Sequence, residues 1–144
     1  MKVIAVLSVI ASLAIAAPAV AAPVTMTFQN VSTTTVMTVS KINSCGVLSP
    51  TPTTVAAGIT SPASSTDCGS LVSASHVTYA MGAKACIFHI STIYTPPNPL
   101  LGTSGYWTPS ASTTPSGGAT CKVVSQDISN IFTTGAFKAV FSMK

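Results

Sequence analysis

His76 and His89 are the chain's only imidazoles, and a Gly82-Ala83 dipeptide lies between them, flanked by two alternating apolar stretches. Gly at the first central position of a two-residue loop suits a type II′ hairpin turn, whose twist matches the strands it joins. In that register His76 faces His89, Tyr79 faces Cys86 and Val77 faces Phe88. Directly opposed residues have Cβ atoms about 4.5–5.5 Å apart, close enough for two imidazoles to share one metal ion. Zinc usually takes three or four protein ligands, so Zn²⁺ or Cu²⁺ on His76 and His89 alone would be weakly held. The plainer alternative is a stacked, solvent-facing pair, and no other cofactor is implied.

The remaining ionisable groups are six lysines, Asp67 and Asp127, with no Arg and no Glu. A glycosidase-type hydrolase needs two carboxylates about 5–10 Å apart. Asp67 and Asp127 alone could supply them, and both stand at turn-like positions, where Asp bonds its own backbone. The sequence has no G-x-S-x-G elbow, no Gly-rich phosphate loop, no H-E-x-x-H and no calcium loop. The expectation is a non-enzyme, with a hydrolase using Asp67 and Asp127 as the alternative. Without Arg there is no fork for bidentate phosphate or guanine contacts, and the scattered lysines (net charge +4) form no basic cluster. Nucleic acid is therefore not an expected partner.

Cys45, Cys68, Cys86 and Cys121 are even in number and include no C-x-x-C pair. That favours two disulfides over structural zinc. Of the three connectivities, Cys45–Cys68 with Cys86–Cys121 closes two modest loops. Each would stabilise the fold by about 3–4 kcal/mol on the chain-entropy account.

Tyr106 and Trp107, the latter the only Trp, lie in a Pro/Gly/Ser/Thr-rich stretch from 95 to 120. Loops longer than about 12–15 residues are usually functional or disordered. The stretch is expected to be a long loop, with Tyr106 and Trp107 as an aromatic platform for glycan, lipid or protein. Alternatively, Trp107 folds back over the core.

Which elements would position these groups? Met1-Lys2 begins a nearly unbroken apolar run from Val3 to Ala16, followed by Pro18 and the small-residue site Ala19-Val20-Ala21. Such a pattern reads as a secretory signal peptide over 1–21, too short to span a membrane. Beyond it, period-two alternation recurs and no convincing amphipathic helix follows. Strands are expected over Val24–Gln29, Thr35–Ile42, Ser75–Met81, Lys84–Tyr94, Cys121–Gln126, Ile128–Phe132 and Phe137–Lys144, with a short one near Thr54–Ile59. About seven short strands with turns between them specify an all-β fold. The expected domain, 22–144, is a small antiparallel β-sandwich, immunoglobulin-like or jelly-roll-like, with a small β-barrel as runner-up.

The Val24–Asn30 and Phe137–Met143 strands resemble those of secreted pilin-type sandwiches, although the cysteine spacing departs from the chaperone–usher pattern. The F-x-N-x-S segment, Phe28 to Ser32, is similar to the start of small membrane-binding β-sandwich cytolysins. Each likeness covers a few residues, and no residue's role carries across. The expectation is a secreted protein, periplasmic or extracellular, with a structural or adhesive role at the cell surface. Its partner would be itself, as a homo-oligomer paired through terminal strands, without a transmembrane anchor in the mature chain. The alternative is a secreted effector that binds membrane lipid or glycan through the 95–120 loop.

Overall fold

Val24, Met26 and Phe28 alternate with Thr25, Thr27 and Gln29, so an extended segment presents one apolar edge and one hydroxyl-rich edge. The same period recurs along the chain and yields eight strands. They are β1 (Val24–Asn30), β2 (Thr38–Ser44), β3 (Ser64–Thr66), β4 (Val72–Met81), β5 (Lys84–Thr95), β6 (Tyr106–Ser116), β7 (Cys121–Asp127) and β8 (Phe137–Met143). The computed structural model describes residues 22–144. The signal segment expected over 1–21 lies outside the described residues.

The strands form two four-stranded sheets, ordered β3-β1-β8-β7 and β2-β4-β5-β6. The all-β sandwich expected from the sequence is the fold observed, with no helix among the described residues. One pairing departs from the antiparallel expectation. β1 and β8 run parallel over seven residues, from Val24 beside Phe137 to Asn30 beside Met143. The first and last strands among the described residues therefore share the middle of one sheet.

Between the sheets, Phe28, Tyr79, Phe88 and Phe141 form an aromatic cluster. Ring centroids are 4.8 Å apart for Phe28–Tyr79, 5.5 Å for Phe28–Phe88 and 5.2 Å for Phe88–Phe141. The buried Tyr79 hydroxyl donates to the Thr53 carbonyl at 3.0 Å. Burial pushes its pKa well above the ordinary phenol range. Asn30 is also buried. Its amide donates to the Thr35 and Val55 carbonyls, and its side-chain oxygen accepts from the Ser32 N–H. Those bonds satisfy the buried amide and hold the crossover from β1 to β2.

Three local expectations are corrected. The 95–120 stretch is not one loop, because Tyr106–Ser116 forms β6, paired with β5 along its length. β6 accommodates Pro109 and Pro115 because it is a sheet edge. The two prolines are six residues apart, so their nitrogens point to the same side. That side faces away from β5, where no N–H is required. The strand expected at Ile128–Phe132 is instead a turn, with Thr134 N–H bonded to the Asn130 carbonyl and Gly135 N–H to the Ile131 carbonyl. It drops Ile131 into the core. Finally, the short strand expected near Thr54–Ile59 reduces to a bridge between Val55 and Met37.

Both disulfides form as expected. Cys86–Cys121 joins β5 of one sheet to β7 of the other. Cys45–Cys68 ties the segment after β2 to the loop after β3.

Candidate functional site

The end of the sandwich where β5 stops and β6 begins concentrates exposed apolar side chains. The β5–β6 loop is pinned at its base by mutual hydrogen bonds between Asn98 and Thr103. The Asn98 side chain also accepts from the Leu100 N–H, closing a tight turn. That turn leaves Leu100 96% and Leu101 75% exposed. The 128–134 turn lies at the same end, because Thr92 on β5 donates to the Gly135 carbonyl. It presents Phe132, 83% exposed. At the same end a crevice of about 290 Å³ is lined by Tyr94, Gly105, Tyr106, Trp107, Phe132 and Thr133.

Tyr106 and Trp107 are neighbours in a strand, so their side chains point to opposite faces. Tyr106 stands outward, about half exposed, while Trp107 packs against the core. The indole meets Tyr94, with ring centroids 4.9 Å apart, and lies over Gly135. The expected two-residue platform is thus divided: Trp107 closes the end of the core, and Tyr106 serves the surface. Sequence reasoning missed Leu100, Leu101 and Phe132. A Leu pair between Pro99 and Gly102, in a run without charge, was the available signal. Phe132 was hidden by the alternation that suggested a strand there.

No lysine, aspartate or histidine occurs in 94–106 or 128–136. The charge nearest in sequence is Asp127, whose carboxylate lies 3.7 Å from the Lys138 ammonium. Hydrogen bonds from Ser129, and then the Lys138 charge, hold its pKa below the ordinary carboxylate value. At the opposite end, Lys84 and Lys144 line a separate crevice with Ser32, Thr33, Thr34 and Thr35.

Asp67 and Asp127 are not brought together. Each carboxylate accepts from a backbone N–H two residues on, Gly69 and Ser129 respectively. They close β3 and β7, the two outer strands of one sheet. Three strand spacings of about 4.8 Å place those strands about 14 Å apart, beyond the separation of a glycosidase pair.

The two histidines are brought together. His76 pairs with His89 across β4 and β5, and the rings meet edge to face with centroids 4.2 Å apart. Partial burial, and then the neighbouring His76, lower the pKa of His89 below the ordinary imidazole value.

The fold and its surface define a disulfide-stapled β-sandwich, one end of which presents exposed apolar side chains from segments without charge. No family model matches the chain, and no curated protein does.

Proposed function

We propose that the chain is an exported, non-enzymatic adhesive protein of the cell surface or extracellular space that attaches to lipid through its apolar end. The observation that carries this reading is the outward placement of Leu100, Leu101 and Phe132 at one pole, with no charged side chain in the segments that present them. Soluble proteins rarely leave such side chains grouped without a partner. Burying a side chain of this size is worth about 1.5–3 kcal/mol, so three supply about 5–9 kcal/mol before the cost of association. That is the scale of reversible attachment. Tyr106 beside the tip suits the headgroup layer, where amphipathic rings gather. Two disulfides suit an oxidising compartment. Among the described residues no helix is long and apolar enough to cross a membrane.

Co-sedimentation with phosphatidylcholine vesicles tests the reading. Binding should be little affected by salt, because the segments that present these side chains carry no charge. It should be lost in a Leu100→Asp, Leu101→Asp double variant that keeps its circular dichroism spectrum. Binding that persists in that variant, or that requires anionic lipid, would refute it. A glycan as partner would show as sugar-dependent binding unaffected by those substitutions.

A second reading, self-assembly by exchange of β1 between copies, is supported by one observation. β1 is joined to β2 through Val31–Val36, a largely exposed segment that could serve as a hinge.

A further inference from the structure

A row of polar side chains crosses the outer face of the β2-β4-β5-β6 sheet. Asn43 pairs with His76, His76 with His89, and His89 with Ser112, one residue from each of the four strands. We propose that His76 and His89 form a two-imidazole chelating site for a borderline divalent cation, Cu²⁺ or Zn²⁺. The site lies on a sheet face rather than at the apolar pole, so it stands or falls independently of lipid attachment.

Three features support chelation over simple stacking. First, the pair is held by backbone pairing. β4 and β5 stay in register on both sides, from Val72 opposite Ile93 to Met81 opposite Lys84, so neither imidazole is displaced by ordinary loop motion. Ligands held in place beforehand lose less freedom on binding. Second, Ser112 Oγ lies 3.4 Å from His89 Nδ1. In the tautomer that donates Nδ1–H to this oxygen, the lone pair of His89 is on Nε2. Metal-binding histidines are commonly oriented by such a second hydrogen bond. Third, a hollow of about 110 Å³ adjoins His76, lined by Lys41, Asn43, Thr78 and Ile87. It has room for waters to complete a coordination shell, and Asn43 is among the residues that line it.

Charge sets the selectivity. Among the described residues no third His, Cys, Asp or Glu joins the pair. The donors are neutral nitrogens, which suit copper and zinc and do not suit calcium or magnesium. Lys41 on β2 is the other cation on this face, and its repulsion keeps the affinity modest. Lys84, at the far end of β5, shares the parity of the buried Cys86 and Phe88. On β6 the facing side chains, Ser110, Ser112 and Thr114, are hydroxyls.

Titration calorimetry on the untagged, oxidised chain at pH 7.5, with CuCl₂, ZnCl₂ and MgCl₂ in turn, tests the proposal. Saturable binding is expected in the order Cu²⁺ above Zn²⁺, with none for Mg²⁺. His76→Gln and His89→Gln should each weaken it by at least about tenfold. Should either variant fold poorly, the wild type gives the second readout: Cu²⁺ should selectively broaden the imidazole NMR signals of both histidines. No saturable Cu²⁺ or Zn²⁺ binding would overturn the proposal. So would wild-type affinity in either variant, which would place the metal elsewhere, as would broadening that spares one of the two rings.

Discussion

The Trp107 indole on β6 lies over Gly135, in the space a side chain there would occupy, and so braces the edge of one sheet against the turn that leads into β8 of the other. Gly135 has φ +72°, a conformation in which a Cβ is strained. Both features converge on one substitution. Gly135→Ala should destabilise the fold by more than the about 1–2 kcal/mol of left-handed strain alone, because the methyl would also meet the indole and the Ala22 side chain. Gly58→Ala is the control: it has the same φ of +72° with nothing within 4 Å. Urea unfolding of both should give the larger loss at Gly135, with a shift in Trp107 fluorescence there alone.

The disulfides should differ in their resistance to reduction. Cys86 is fully buried between the sheets, whereas Cys45 is exposed. Graded dithiothreitol followed by alkylation and peptide mapping should release Cys45–Cys68 first. Replacing Cys86 and Cys121 with alanine should cost about 3–4 kcal/mol from the lost loop constraint, more if the buried sites repack poorly. Recovery of a Cys45–Cys86 or Cys45–Cys121 peptide would contradict the pairing.

Acid should weaken the fold through His89. Its folded pKa lies below the ordinary value of 6.5, so the unfolded chain binds the proton more readily. The stabilisation is complete above that value and is lost as pH falls through and below it. Melting temperature should therefore drop between about pH 7.5 and 5.5, and less so in His89→Gln. At lower pH Asp127 adds a loss of the same sign, since its folded pKa is also depressed. An NMR titration placing His89 above 6.5 would contradict this.

β1 occupies the lane between β3 and β8 and buries Val24, Met26 and Phe28. Phe28→Ala should cost about 3–5 kcal/mol, the range for removing a buried aromatic ring. A chain lacking residues 22–30 should fail to fold alone, and a peptide of that sequence supplied in trans should restore it. If the truncated chain folds unaided and the full chain stays monomeric at high concentration, exchange of β1 has no support.

Much of this molecule is legible in the residues themselves. Alternation at period two determines which side chains of β1, β4, β5 and β8 face inward, because a strand has only two faces. The Gly82-Ala83 turn then sets the β4–β5 register. It is of the II′ kind: Gly82 has φ +59°, and among the described residues no non-glycine has a positive φ. That local turn alone places His76 opposite His89, without reference to the rest of the fold. Tertiary structure decided what depends on neighbours distant in sequence. Tyr106–Ser116 is a strand because β5 offers it a partner and its outer side needs no donors, a condition that Pro109 and Pro115 cannot announce. The parallel pairing of β1 with β8 joins strands more than 100 residues apart, Val24 beside Phe137, so no turn encodes it. Leu100, Leu101 and Phe132 are exposed because two turns remote in sequence meet at one pole. Exposure is a property of the assembled surface, which no single segment of the sequence specifies.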